Sequence, residues 1–246
     1  MSRITDLKVK IFADGADYEG IRQMSKNPVI KGFTTNPTLM RKAGVSDYEA
    51  FARKVLAAVS DRPVSFEVFV DDFASMAEQA RTISSWGPNV NVKIPITNTK
   101  GQSAGELIRV LSSEGVTLNV TAIFTLDQVR AVIDALHPGT AAIVSVFAGR
   151  IADTGIDPIP YMLAAKQILA ARPKAQLLWA SSRELLNIFH AEESRCDIVT
   201  VPNELLSKLD LVGKDLLEYS RETVQAFCRD AAAAGYQIKT ARYAAE

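Results

Sequence analysis

A lysine inside an apolar run is the residue with the clearest chemical potential in this sequence. Lys93 lies in VNVKIPI, where strand alternation places Val92 and Ile94 on the opposite face. If those two side chains face covering helices, the Lys93 ammonium is buried, and burial lowers its pKa toward a neutral amine. A neutral amine attacks carbonyl carbons, so the run indicates a nucleophile. The alternative is a lysine whose head reaches solvent at the strand end or pairs with an acid.

Two carboxylates accompany this lysine. Glu67 lies in SFEVF, in the preceding apolar run, and is either a buried ion-pair partner of Lys93 or a proton shuttle. Asp14 ends the run VKIFAD, where a carboxylate acts as a general base or caps the next helix. For each acid both interpretations stay open.

Two arginines and a serine indicate an anion site. Arg150 and Arg183 follow consecutive apolar runs, and Ser181 precedes Arg183 by two residues. Guanidinium forks beside a hydroxyl suit a phosphate bound through two oxygens. Surface arginines that cap helices are the alternative.

The elements that position these residues are eight short apolar runs, which alternate with longer stretches of helical period. Near-continuous apolar strands indicate a parallel sheet covered by helices on both faces. Eight β/α units in about 210 residues predict the α/β class and a single closed (β/α)8 TIM barrel, with an open doubly wound sheet as the alternative. The runs are VKIFAD, VIKGFTTN, VSFEVFV, VNVKIPI, TLNVTAIF, AAIVSVFAGR, AQLLWASS and DIVTVPN.

Helices are predicted between the strands, over residues 17–26, 46–59, 72–85, 101–113, 126–135, 158–171, 183–190 and 204–209. A further helix over about 213–234 is surplus to a barrel, and the tail after it carries Tyr236, Ile238 and Tyr243. No linker-like segment divides the chain. We therefore expect residues 1–246 to form one barrel domain, with about 213–246 as a C-terminal helical extension that packs on its own barrel or on a neighbouring subunit.

In such a barrel the chemistry lies at the carboxyl ends of the strands, and phosphate is commonly bound by the loops after strands seven and eight. Polar residues lie at or near the ends of seven of the eight predicted strands, which indicates one site. They are Asp14, Thr34, Asn36, Glu67, Lys93, Asn119, Thr121, Ser145, Arg150, Ser181 and Arg183.

Composition excludes several other classes of function. Twenty-eight basic residues balance 28 acidic ones, so no basic excess supports binding to nucleic acid or to an acidic membrane. The first ten residues lack the apolar core of a secretory signal, and no run is long enough to span a membrane, so a cytoplasmic protein is expected. Two histidines and two cysteines leave little basis for a metal site, and glycine-rich nucleotide motifs are missing from the sequence.

Taken together, these segments resemble the transaldolase family, including its short members that shade into fructose-6-phosphate aldolases. The resemblance rests on FADGAD, GFTTNPTLM, SFEVF, VKIPIT, LNVTAIFT, SVFAGRIADTG and ASSRE, in family order from Ile11 to about Glu184. It implies a (β/α)8 fold and aldol chemistry through a lysine Schiff base, without metal or other cofactor.

The resemblance also implies a role for each site residue. Lys93 would attack the C2 ketone of a ketose phosphate, Glu67 and Thr121 would hold the water that shuttles protons, and Asp14 would take the proton of the C4 hydroxyl. An acceptor aldose phosphate would then add to the dihydroxyacetone enamine. Thr34 would support Asp14; Asn36, Asn119 and Ser145 would hold the dihydroxyacetone hydroxyls, and Arg150, Ser181 and Arg183 the phosphate.

Alternatives to this transferase remain open. One is a lyase that splits fructose 6-phosphate to free dihydroxyacetone; another is a transaldolase for a sulfonated or longer-chain sugar, and a third is a non-catalytic sugar-phosphate binder. Phe147 bears on the first, because aldolases resembling this family carry a tyrosine there and a glutamine at the position of Glu67; plain packing inside the barrel is the alternative interpretation of Phe147. From the surplus helix and the short-chain resemblance we expect a homo-oligomer, a pentamer-based ring or decamer, that binds sugar phosphates.

Overall fold

Eight parallel strands close into a barrel in the computed structural model, which describes residues 4–238. Each strand pairs with its neighbour in the chain, and β8 pairs with β1. The predicted (β/α)8 barrel is therefore confirmed, and the open doubly wound sheet is excluded. The strands are β1 (Lys10–Asp14), β2 (Ile30–Thr34), β3 (Val64–Glu67), β4 (Val90–Pro95), β5 (Leu118–Ile123), β6 (Ala142–Val146), β7 (Ala175–Trp179) and β8 (Ile198–Pro202).

Helices follow every strand, and two of them were not predicted. These two are α2 (Pro37–Lys42) and α7 (Ala148–Asp153), each of six residues. The others are α1 (Tyr18–Met24), α3 (Tyr48–Ala58), α4 (Phe73–Ser84), α5 (Gly105–Ser113), α6 (Leu126–Ala135), α8 (Pro158–Leu169), α9 (Leu186–Glu193), α10 (Asn203–Leu206) and α11 (Leu216–Ala233). Short 3-10 turns cover Ile4–Asp6 and Leu209–Leu211.

Two predicted helices begin later than expected. The helix predicted over 101–113 starts at Gly105, because Gly101 has a positive φ of 74° and Thr97 pairs with Ser103 in an antiparallel bridge. The helix predicted over 183–190 covers Leu186–Glu193, and Arg183 is instead held in the preceding turn. The helix predicted over 204–209 is split into α10 and a 3-10 turn.

The barrel interior contains an apolar cluster and, nearer the carboxyl ends of the strands, the polar side chains of the cavity. Phe12, Ile143, Leu178, Ala180 and Ile198 form a small apolar cluster inside the barrel, from strands β1 and β6 to β8. The outward-facing residues of the strands belong to the larger core between sheet and helices. Polar side chains of the cavity follow two residues later on the same strands, as Asp14 does after Phe12, Ser145 after Ile143 and Thr200 after Ile198.

Backbone contacts divide the chain into two compact units, residues 4–209 with the barrel and residues 210–238 with α11. No residue of α11 is buried, and Leu217 and Phe227 are 83% and 68% exposed. Tyr236 and Ile238 are exposed as well, whereas Tyr243 lies outside the described residues. Among the helices of residues 4–238, none has the length and apolar character needed to cross a membrane.

Candidate active site

All twelve predicted site residues line one cavity of about 720 Å³, into which the carboxyl ends of the strands open. They are Asp14, Thr34, Asn36, Glu67, Lys93, Asn119, Thr121, Ser145, Phe147, Arg150, Ser181 and Arg183. Parallel strands direct their carboxyl ends to one side of a barrel, which is why residues separated by up to 169 positions meet there.

Lys93 lies at the inner end of this cavity and is 7% exposed. Val92 and Ile94 are fully buried in the core outside the barrel, so the predicted alternation is correct. The Lys93 Nζ lies 2.9 Å from Glu67 Oε2 and donates to the carbonyl oxygen of Thr35 at 2.8 Å. Glu67 and Lys93 are register partners on β3 and β4, and the sheet itself therefore holds the pair together.

Asp14 is held by a hydroxyl group from β2, which is itself hydrogen-bonded to a hydroxyl group from β8. Thr34 Oγ1 donates to Asp14 Oδ1 at 2.7 Å, and the Thr34 hydroxyl is also hydrogen-bonded to that of Thr200. Burial raises the pKa of Asp14 above its ordinary value, and the charge of Lys93 and the Thr34 hydrogen bond oppose that shift. A carboxyl group with a raised pKa is better suited to accept and return protons near neutral pH.

A hydrogen-bond chain crosses the middle of the barrel. Asn119 Nδ2 donates to Ser65 Oγ at 3.1 Å, and Ser145 Oγ donates to Asn119 Oδ1 at 2.6 Å. Asn119 is fully buried, so these bonds fix the orientation of its amide. Thr121, which is 2% exposed, makes no side-chain hydrogen bond to any residue in the described part of the chain, and its hydroxyl is available at the cavity wall.

Asn36 caps the N-terminus of α2, as the sequence Asn36–Pro37 indicates. Its Oδ1 accepts from Leu39 N at 3.0 Å and so caps α2, with Pro37 as the first helical residue. The side-chain NH₂ remains as the donor that Asn36 can direct into the cavity.

The outer part of the cavity is basic. Arg150 projects from α7, with its guanidinium carbon 5.1 Å from the centre of the Phe147 ring. Arg183 donates to both oxygens of Asp153, through Nε at 3.1 and 3.0 Å and Nη2 at 2.6 Å. That guanidinium lowers the pKa of Asp153. An incoming anion therefore meets one arginine that is already occupied by a carboxylate.

The loop after β7 is fixed by close backbone packing. Ser181 adopts a left-handed conformation with φ 66°, which is uncommon for a residue with a side chain. Gly149, in the first turn of α7, lies so close to the Ser181 carbonyl oxygen that any Cβ atom at this position would collide with it. Strain of this kind is concentrated at functional sites.

The prediction from sequence missed some polar residues of the site. Thr200 on the eighth strand and Ser65 on the third both bond to predicted residues. The signal was present, because Thr200 alternates with Val199 and Val201 and so faces the interior. Asp153 was missed because its partner Arg183 is 30 positions away.

Comparison with known proteins gives one matching family model and several similar proteins. A family model described as Transaldolase/Fructose-6-phosphate aldolase matches residues 11–243. A probable transaldolase of Dehalococcoides mccartyi is 38% identical over 205 residues, which cover 82% of this chain and 90% of that protein. A probable transaldolase of Methanococcus maripaludis is 34% identical, and the probable transaldolase 2 of Listeria monocytogenes 35%, each over 82% of this chain and 89% and 88% of those proteins.

A solved structure shows the fold at lower identity. The crystal structure of KGPDC from Streptococcus mutans superposes with a TM-score of 0.53 at 9% identity, covering 79% of this chain and 88% of that one. At this identity the likeness concerns the barrel alone.

Proposed function

This chain belongs to the transaldolase/fructose-6-phosphate aldolase family, and on that premise we propose that it transfers a dihydroxyacetone unit from a ketose phosphate to an aldose phosphate. Fructose 6-phosphate is the proposed donor, and a Schiff base on Lys93 carries the transferred unit. The observation that supports this most is the buried pair of Lys93 and Glu67, 2.9 Å apart, at the inner end of a cavity with a basic outer part.

Imine formation begins with proton transfer from the Lys93 ammonium, for which Glu67 Oε2 is the nearest base. The neutral amine adds to the C2 carbonyl and gives a carbinolamine. Loss of the C2 oxygen as water leaves a protonated imine, and Glu67 with the Thr121 hydroxyl holds the water that relays the protons.

Cleavage of the carbon chain then requires a base at the C4 hydroxyl. In the proposal Asp14 accepts that proton as the bond from C3 to C4 breaks, and the bonding electrons move to the iminium, which becomes an enamine. The aldose phosphate leaves, and an acceptor aldehyde adds to the enamine by the reverse steps. Asn36, Asn119 and Ser145 hold the hydroxyls of the three-carbon unit.

The substrate anion binds to Arg150, Ser181 and Arg183 in this proposal. It must replace Asp153 as the partner of Arg183, and a doubly charged phosphate offers more charge than one carboxylate. A sulfonate, or the phosphate of a longer sugar, satisfies the same donors, so these sugars are the alternative substrates.

Borohydride trapping tests the Schiff base. Incubation with fructose 6-phosphate and borohydride should leave a dihydroxyacetone adduct on Lys93, which mass spectrometry of peptides locates. Lys93→Arg should abolish the adduct, because a guanidinium forms no imine, while Lys42→Arg, at another lysine of the same cavity, should retain it. Failure of the wild-type protein to form an adduct with any ketose phosphate would leave a sugar-phosphate binder as the better interpretation.

A lyase is the second candidate, and in this proposal Phe147 and Glu67 decide between the two. A transferase must keep proton donors away from the enamine carbon, and Phe147 offers the cavity a ring without a hydroxyl. We expect Phe147→Tyr, and more so with Glu67→Gln, to raise release of free dihydroxyacetone without acceptor and to lower transfer to erythrose 4-phosphate. If the wild-type enzyme releases dihydroxyacetone as fast as it transfers it, the lyase is correct.

We also propose that the protein is a homo-oligomer, with a pentamer-based ring or decamer favoured, and that the residues after about 213 form a helical extension of the barrel domain. The support is the exposed apolar side of α11, with Leu216, Leu217, Val224 and Phe227 each more than 60% exposed. Apolar patches of this kind commonly mark surfaces that are covered in an assembly.

A further inference from the structure

The backbone of Glu67 is held by a side chain from another element. The Tyr48 hydroxyl accepts from Glu67 N at 2.8 Å and donates to Glu67 O at 2.7 Å. Tyr48 is the first residue of α3, and 18 positions lie between the two residues. One phenol thus satisfies both backbone groups of the residue whose carboxylate contacts Lys93.

The sheet geometry explains why Glu67 needs such a partner. Along β3, Val64 N and Val68 N bond towards β4, whereas Ser65 O accepts from Thr35 N on the side of β2. By this alternation the N–H and C=O of Glu67 face β2. No β2 residue remains to meet them, because the pairing ends at Ser65 and the chain then enters α2. Unpaired buried backbone groups are costly, and the phenol replaces the missing strand.

The Tyr48 ring is itself fixed. Its centre lies 5.2 Å from that of Phe69, 5.9 Å from that of Trp86 and 6.3 Å from that of Phe66, with the last pair edge to face. Burial raises the pKa of the Tyr48 phenol, which therefore stays neutral and can donate and accept at once.

We propose that Tyr48 is a positioning residue for the Glu67 and Lys93 pair: its hydroxyl takes the place of a neighbouring strand and fixes the Glu67 carboxylate against the Lys93 amine. The catalytic consequence rests on the proposed Schiff-base function, whereas the tether itself does not. Loosening Glu67 slows the proton transfers of imine formation and leaves the anion contacts of Arg150 and Arg183 in place.

Tyr48→Phe tests this, because it keeps the ring and removes only the hydroxyl. We expect imine formation with fructose 6-phosphate, followed by borohydride trapping, and kcat to fall about 10- to 100-fold, with KM within about twofold of wild type. Hydrogen exchange of the Glu67 amide should become at least about tenfold faster. Tyr161→Phe is the matched control, since it also removes a 2.8 Å bond from a phenol to a backbone carbonyl, that of Phe124, but away from Glu67.

The exchange measurement separates the two proposals. If the wild-type enzyme forms no adduct, the Schiff-base function fails, and exchange of the Glu67 amide alone decides whether the tether exists. Imine formation within twofold of wild type in Tyr48→Phe overturns the positioning role, whatever the exchange rate. Should this variant unfold, a ring-fluorinated tyrosine at position 48 keeps the ring and the hydroxyl but makes the phenol oxygen a weaker acceptor for Glu67 N. Exchange of the Glu67 amide should then be faster and imine formation slower than in wild type, and unchanged values of both would overturn the role.

Discussion

Asp14 has two opposing effects, one on stability and one on chemistry. Its buried carboxyl group has a raised pKa, so the folded protein holds the proton more tightly than the unfolded chain does. As pH rises from about 4, the Asp14 carboxyl ionises first in the unfolded chain, so the free energy of unfolding falls. It falls until pH exceeds the pKa of Asp14 in the folded protein and stays lower above that pH. The same ionised form is the base that the proposed cleavage needs.

Replacing Asp14 separates these effects. Asp14→Asn should raise the melting temperature at pH 7 relative to wild type, and the difference should shrink as pH falls towards 4. Because cleavage lacks its base, borohydride should trap the intact six-carbon unit on Lys93 in place of the three-carbon one. Asp127→Asn, at an exposed acid paired with Arg130, should change neither property. A three-carbon adduct formed at the wild-type rate would remove Asp14 from the mechanism.

The arginines should act through the substrate anion. Arg150→Ala or Arg183→Ala should each lower kcat/KM for fructose 6-phosphate roughly 30- to 1,000-fold. This corresponds to a loss of about 2–4 kcal/mol in transition-state stabilisation. Steady-state kinetics with unphosphorylated fructose should show a much smaller loss. Arg53→Ala, at an exposed arginine paired with Glu49, is the control. Equal losses for the two sugars would contradict the phosphate assignment.

The residues around Lys93 could be predicted from residue type and from the alternation of side chains along the strands. The orientation of Lys93 followed from its apolar neighbours, and every predicted residue lines the cavity. What could not be predicted are partnerships between distant segments, such as Tyr48 with Glu67 or Asp153 with Arg183. These depend on loop paths that no local pattern encodes, since Tyr48 and Asp153 taken alone are ordinary helix residues.

At the scale of elements, the strands were predictable because buried parallel strands are continuous apolar runs. The two short helices were not. α7 begins two residues after β6, and the run AAIVSVFAGR has no polar break between strand and helix. For α2 the sequence Asn36–Pro37 did contain a cap and a first-turn proline, but six residues are too few for a helical period to emerge.

The contact between α7 and the loop after β7 gives a prediction for Gly149. Gly149→Ala should destabilise the protein by about 1–3 kcal/mol, because the new methyl group meets the Ser181 carbonyl oxygen. It should also raise KM for fructose 6-phosphate as Ser181 and Arg183 move. Gly105→Ala is the control, because its Cβ would meet only the Ser103 hydroxyl at 3.3 Å. Chemical denaturation measures the stability, and steady-state kinetics measure KM. If Gly149→Ala has the wild-type stability and the wild-type KM, the loop after β7 adapts to the methyl group and the prediction is wrong.

For the whole molecule, the prediction concerns assembly. Deleting the residues after Gly213 removes α11, whose apolar side chains are exposed, and should lower the state of association seen by light scattering. The barrel unit keeps its own core without α11, so circular dichroism should still report a folded α/β protein. A full-length protein that is monomeric at micromolar concentration would refute the oligomer.

Closure of the barrel by β1 and β8 sets an order of events during synthesis. About 190 residues separate these strands, so at about 5–20 residues per second roughly 10–40 s pass before β1 meets its second partner. During that time one edge of the nascent sheet, next to Asp14, is open to other chains. If synthesis ends before Ile198, the fragment therefore has an open sheet edge and is prone to aggregate, although it already contains Lys93, Glu67, Arg150 and Arg183.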